Sequence, residues 1–185
     1  MARTIARAAR GAQAVLASDY GSMALGPAVL ATLRQLRGGG LPVCVDSRYR
    51  IVEYAGVSMV KPNEPELEAA TGVPLNSTAA LERAARLLLR RLGCDQILVT
   101  RGRNGMSLFR KGEGPLHLAA HGTHEAVDVT GAGDTVAAAY SAAIAAGGDP
   151  ASAARLANVA GALVVRKAGT ATVSPEEILA ELAAV

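Results

Sequence analysis

Residues 128–134 read Asp-Val-Thr-Gly-Ala-Gly-Asp and lead straight into an apolar helical pattern. Gly131, Ala132 and Gly133 carry almost no side chain, so backbone N–H groups there can approach a ligand closely. A helix opening at such a turn presents N–H groups without intrahelical partners, together with the positive end of its dipole, and both favour an anion. Asp134, an acid at that helix start, is placed to take a proton from a hydroxyl. An anion hole beside a base is the equipment of phosphoryl transfer. The same residues also suit an ordinary glycine-rich turn with Asp134 as N-cap.

Other residues extend the phosphate reading. Asn63 and Glu66 stand three apart, after an apolar run and into a helical one. An amide and a carboxylate on one face can hold a hydrated Mg²⁺, which prefers oxygen ligands and keeps its waters. Equally, Asn63 can be an N-cap with acids in the first turn. Thr100 and Gly102 close a strand-like run and can contact a nucleotide phosphate, or simply form a tight turn. Asp19 and Asp46 follow apolar runs and can bind sugar hydroxyls or cap loops. Arg48 can meet an anionic substrate group or remain solvated. His117, His121 and His124 lack helix or strand ligand spacing and have no cysteine partner, which argues against zinc. The phosphate-binding pattern G-x-x-x-x-G-K-[ST] is absent.

These residues need elements to position them. Apolar runs at 14–17, 42–45, 57–60 and 96–100 read as buried strands. Helical spacing occupies 3–11, 23–37, 65–71 and 76–92. Ser77 or Asn76 can cap the last of these. Residues 105–110 and 116–119 read as a hairpin, with 125–127 as a further extended piece. Helices follow at 135–146 and 150–165, the second capped by Asp149. A last helix starts at Ser174, with Glu177 at capping-box spacing. Short strands alternating with helices imply a mostly parallel sheet covered on both faces. In such sheets ligands bind at the carboxyl ends of the strands, where Asp19, Asp46, Asn63 and Thr100 lie.

Composition sets outer bounds. The 185 residues suit one domain, and with one Phe and no Trp the core must be aliphatic. A net charge of +3, carried by scattered arginines, suits an anionic substrate. No basic-aromatic module points to nucleic acid. No apolar run is long enough to span a membrane, and no secretory leader is evident, so the expectation is a cytoplasmic protein. Cys44 and Cys94 lack paired spacing and read as buried thiols.

In order along the chain, Asn63-x-x-Glu66, Thr100-x-Gly102 and residues 128–134 resemble the ribokinase-like (PfkB) carbohydrate kinases. The resemblance implies an α/β three-layer sandwich and ATP-dependent transfer of a phosphoryl group to a sugar hydroxyl. It makes Asp134 the base, Gly131, Ala132 and Gly133 the anion hole, and Asn63 with Glu66 the organisers of Mg²⁺ through water. Thr100, Gly102 and Asn158 become nucleotide contacts. Asp128 and the backbone near Gly169 fall where some members hold a monovalent cation such as K⁺. Residues 18–21, 99–108 and 169–175 look most like the heptose-phosphate kinase subgroup. That implies D-glycero-D-manno-heptose 7-phosphate as acceptor, phosphorylated at C1, with Asp19, Asp46 and Arg48 toward the sugar.

The match covers only the C-terminal part of such kinases. Residues 1–185 are therefore expected to be an ATP-binding and catalytic part without the N-terminal strands and lid. Surface left open in that way can drive homodimerisation. The same truncation leaves a non-catalytic nucleotide-binding remnant as the alternative.

Overall fold

The computed structural model describes residues 1–21, 25–122 and 126–184. Six strands form one sheet in the order β1-β2-β3-β4-β5-β6: Val15–Asp19, Val43–Ser47, Met59–Val60, Gln96–Thr100, Met106–Arg110 and Leu116–Leu118. The first four run parallel, and β5 and β6 turn back antiparallel as the expected hairpin. Two-residue alternation sends each strand's side chains to opposite faces. Val43, Val45, Val60, Ile97, Val99 and Phe109 enter one core. Cys44, Met59, Leu98, Met106 and Leu108 enter the other. A strand buried on both faces has to be apolar at every position, which is why these runs are continuous rather than alternating.

Helices α1 (Ala2–Ala8), α2 (Pro27–Gly38), α3 (Glu64–Thr71) and α4 (Thr78–Leu92) lie on the first face. Helices α5 (Ala132–Ala145), α6 (Pro150–Val164) and α7 (Pro175–Ala183) lie on the second. The result is a three-layer α/β sandwich. Helix α4 shows how the sequence drives the packing. Ser77 caps its first turn, Gly93 ends it in the left-handed conformation, and Leu81, Leu88, Leu89 and Leu92 are buried. Each such leucine contributes about 1.5–3 kcal/mol. Helices α6 and α7 start at the expected caps, Asp149 and Ser174, the latter in a full capping box with Glu177.

Several expectations change, among them the start of the second helical stretch, which is at Pro27. Helix α5 begins at Ala132, not 135, because Gly131 adopts φ +79° and serves as N-cap. Asp134 is thus inside the first turn and is not the cap. Residues 126–127 form no strand, although Val127 N–H donates to Val165 O at 2.7 Å. Residue 125 of that extended piece, residues 23 and 24 of the second helical stretch, and His124 lie outside the described residues.

A candidate active site at the carboxyl ends of the strands

The pleat sorts the acids. Residues 15, 17 and 19 pair with 43, 45 and 47, and Ala17, Val43 and Val45 all face the core under α2 and α4. Asp19 and Ser47 share that parity. Asp19 is 2% exposed, and its Oδ2 accepts from Tyr54 at 2.7 Å and Ser47 at 3.1 Å. Its Oδ1 accepts from Gly21 N–H at 2.9 Å, and Arg50 Nε lies 3.4 Å from Oδ2. Burial pushes the Asp19 carboxyl up, but these donors and Arg50 together hold it below the usual range. In this arrangement Asp19 caps the loop after β1.

Asp46 has the opposite parity and faces α5. Its Oδ2 lies 3.1 Å from Nζ of Lys61, which follows β3 and is 4% exposed. Burial pushes the Asp46 carboxyl up; Lys61 pulls it down, while the charges of Glu66 and Asp134 add to the rise. Asp46, Lys61, Glu66 and Asp134 therefore share one electrostatic neighbourhood. A Cβ placed on Gly133 would stand 3.3 Å from Lys61 Nζ and 4.0 Å from Asp46 Oδ2. The glycine lets the β2–β3 strand ends touch the start of α5.

Asp134 Oδ2 accepts the hydroxyl of Tyr20 at 2.6 Å. The Arg48 guanidinium lies 4.9 Å from the centre of the Tyr20 ring. Around the turn, Ala132 N–H donates to Val129 O at 3.2 Å, and Thr135 N–H makes the first helical bond to Gly131 O. The first-turn amides of Gly133 and Asp134 are of the kind a helix cannot satisfy internally.

Asn63 and Glu66 form a reciprocal capping box. Glu66 N–H donates to Asn63 Oδ1 at 2.7 Å, and Asn63 N–H donates to Glu66 Oε2 at 2.9 Å. The capping reading of this pair is what the geometry displays, and its start is pinned by a parallel bridge from Asn63 to Thr100. Among the described residues, no cluster of three or more His, Cys, Asp or Glu could hold a metal. His117 meets Ser107 and Glu82, and His121 meets Glu181.

Thr100 leads into a turn at Gly102, closed by Arg101 N–H to Gly105 O at 2.8 Å. Gly105 lies against the exit of β6: a Cβ there would come within 2.1 Å of Leu118 O. Past that exit, Asn158 on α6 donates to Ala119 O at 2.7 Å. Leu118, Ala119, His121, Arg155 and Asn158 line a depression of about 440 Å³. Asn158 lines this depression, whereas Thr100 and Gly102 belong to the neighbouring β4–β5 turn and do not line it. Asp128 sits at the other side of the α5 turn, accepting from Thr130 N–H at 2.8 Å and Gly169 N–H at 3.0 Å. Asp128 and Gly169 meet through that bond, and the carboxylate joins the two loops.

Neither Lys61 nor Tyr20 stands out in the sequence as a candidate site residue. Lys61 carries one signal in the sequence: a lysine that directly abuts an apolar strand-like run.

The profile described as pfkB family carbohydrate kinase matches residues 24–177. The bifunctional protein HldE of Pelobacter propionicus is 42% identical over 173 residues, covering 92% of this chain and 35% of that protein. HldE of Coxiella burnetii strain Dugway is 46% identical over 168 residues, covering 90% of this chain and 35% of its own. This chain therefore spans about a third of the length of those curated relatives. Among solved structures, Arabidopsis thaliana ribokinase complexed with ribose and ATP superposes with a TM-score of 0.86 at 27% identity, covering 97% of this chain and 58% of that one. The fold is ribokinase-like.

Proposed function

From the premise that this chain belongs to the pfkB family of carbohydrate kinases, we propose that it takes part in transfer of the ATP γ-phosphoryl group to a sugar hydroxyl, with Asp134 as the base. The observation that carries this reading is the hydroxyl already resting on Asp134 Oδ2 at 2.6 Å, beside the first-turn amides of α5. A carboxylate that receives a phenolic O–H in this position can receive an alcohol O–H, and the amides beside it can hold the phosphate that the alcohol attacks.

Asn158 lines the depression in which the nucleotide would lie, and Thr100 and Gly102 would meet its phosphates from the adjoining β4–β5 turn. The single carboxylate of the Asn63–Glu66 box fits a hydrated Mg²⁺ carried by the nucleotide better than an all-protein cage. Such an ion neutralises charge on the phosphate oxygens when bound. Glu66 would meet its water shell, and Asn63 holds Glu66 in place through the capping box. Both oxygens of Asp128 accept backbone N–H groups. A K⁺ ion at Asp128 would share that carboxylate, and no step of the reaction is assigned to it.

Arg48 stands one aromatic ring away from the hydroxyl on Asp134. A cation at that remove supports an acceptor that carries a phosphate of its own. The acceptor class that fits both this and the likeness to HldE is a sugar phosphate, D-glycero-D-manno-heptose 7-phosphate first, with Asp46 and Arg48 on its side of the site.

The test is phosphorylation by the chain with ATP and Mg²⁺ of heptose 7-phosphate, fructose 6-phosphate, ribose and adenosine. Asp134→Asn should lower kcat by about 10²- to 10⁴-fold and leave ATP affinity nearly unchanged. Unchanged turnover overturns the base assignment. Nucleotide binding without phosphorylation of any acceptor replaces the kinase reading with a nucleotide-binding module.

A further inference from the structure

We propose a second phosphoryl acceptor, carried by the chain itself: with no sugar bound, the Tyr20 hydroxyl takes the γ-phosphoryl group of ATP and becomes phosphotyrosine. The inference rests on the kinase reading above. Tyr20 is 53% exposed, and its hydroxyl donates to Asp134 Oδ2 at 2.6 Å. That is the oxygen to which a sugar hydroxyl would give its proton. Asp134 also lies in the first turn of α5, whose amides would hold the phosphate under attack. The phenol oxygen, the base and the anion-binding turn therefore stand together before any acceptor arrives. An acceptor already in place reacts within one molecule, which removes the entropic cost of bringing two together.

Other hydroxyls of this end of the sheet are engaged elsewhere. Those of Ser47 and Tyr54 donate to the buried Asp19, in the core opposite α5. Tyr140 is buried and donates to Gln96. Tyr49 is 77% exposed, and its ring lies against the loop that carries Tyr20: a Cβ on Gly21 would stand 3.0 Å from Tyr49 Cδ2. Tyr49 is therefore the control for exposure alone.

In the step, the Tyr20 oxygen bonds to the γ-phosphorus. The bond from that phosphorus to the β–γ bridging oxygen breaks with its electron pair leaving on ADP, and the phenolic proton passes to Asp134 Oδ2. The bond to Asp134 pushes the Tyr20 hydroxyl above its ordinary range, so the phenol is protonated at neutral pH and gives up its proton as the new bond forms. The product carries a charge of about −1.5 to −2. It repels the Asp134 carboxylate and is countered by Arg48, whose guanidinium lies 4.9 Å from the ring centre.

The experiment incubates the full chain with Mg²⁺ and ATP labelled at its γ-phosphate, without sugar, and maps the label by mass spectrometry of proteolytic peptides. A single phosphate on Tyr20 is expected, at a rate per chain that is independent of protein concentration. Tyr20→Phe should lose the label and Tyr49→Phe should keep it. Asp134→Asn should slow labelling by about 10²- to 10⁴-fold. No phosphate on Tyr20 in wild type, or a Tyr20 label undiminished in Asp134→Asn, overturns the inference. A rate per chain that rises in proportion to protein concentration assigns the transfer to a second molecule and overturns it as well. The sugar panel above is run on the same preparation. A sugar phosphorylated while Tyr20 stays unlabelled overturns this inference alone, and the absence of both products overturns it together with the kinase reading.

Discussion

The hydroxyl of Tyr20 donates to Asp134 Oδ2 at 2.6 Å, joining the loop after β1 to the first turn of α5 across 114 residues of sequence. The contact places an O–H where the proposed reaction needs one. It also marks Tyr20 as a group that an acceptor must displace. The bond to Asp134 pushes the Tyr20 hydroxyl above its ordinary ionisation range, burial and the Asp134 charge add to that, and Arg48 opposes it. In Asp134→Asn the charge is gone. Tyr20 should then ionise closer to the ordinary value of about 10. Ultraviolet tyrosinate titration of Asp134→Asn against Asp134→Asn/Tyr20→Phe isolates its signal. A Tyr20 transition equally high with and without the Asp134 charge would falsify the contact.

Asp19 is expected to carry stability rather than substrate affinity. Its native carboxyl is held below the usual range, so folding favours the charged form. That stabilisation is complete above the unfolded value of about 3.9 and is lost as pH falls through the lower native value. Asp19→Ala removes the partner of Arg50, Tyr54 and Ser47 and should cost about 3–5 kcal/mol. Urea denaturation at neutral pH measures that loss. The same series taken down through pH 4 should be flatter for Asp19→Asn than for wild type. An Asp19→Ala chain as stable as wild type removes the network from the account.

Gly105→Ala tests the joint between β4 and β6. The glycine has φ +80°, and an added Cβ meets Leu118 O at 2.1 Å, a backbone atom that cannot swing aside. Strain and clash together should cost at least about 2 kcal/mol. Because β6 leads to the Ala119–Asn158 contact, ADP affinity should fall with it. Thermal unfolding and ADP titration read the two effects. Unchanged values in both would mean the turn does not bear on the depression.

At Asn63 the cap and the proposed phosphate role can be separated. Asn63→Asp keeps an acceptor for Glu66 N–H, whereas Asn63→Ala removes it at a cost of about 0.5–2 kcal/mol. Stability should therefore fall in the alanine variant and hold in the aspartate one. The added negative charge should instead weaken Mg·ATP binding in Asn63→Asp. Wild-type ATP affinity in that variant would confine Asn63 to capping.

Much of this was legible from sequence because it depends on local rules. The continuous apolar runs of β2 and β4 report burial on two faces, and the run at 96–100 coincides with β4. The caps at Ser77, Asp149 and Ser174 report short-range hydrogen bonding, which needs only neighbouring residues. Helical spacing alone starts α5 at 135, three residues past its start at Ala132. Gly131 reads as turn, and only its left-handed φ shows that it caps the helix itself.

Residues 128–134 by themselves specified a small-residue turn that opens a helix with an acid in its first turn, which suits an anion site and an ordinary turn alike. They did not specify what faces that acid. That depended on which side of the sheet α5 covers. One residue of register separates Asp46, which reaches the α5 turn, from Ser47, which turns to the opposite core with Asp19. Lys61 reaches the same turn through its place at a strand end and the missing Cβ of Gly133. Alternation along a strand is written in the sequence. Which of its two faces holds the chemistry is set only when a distant helix packs against one of them.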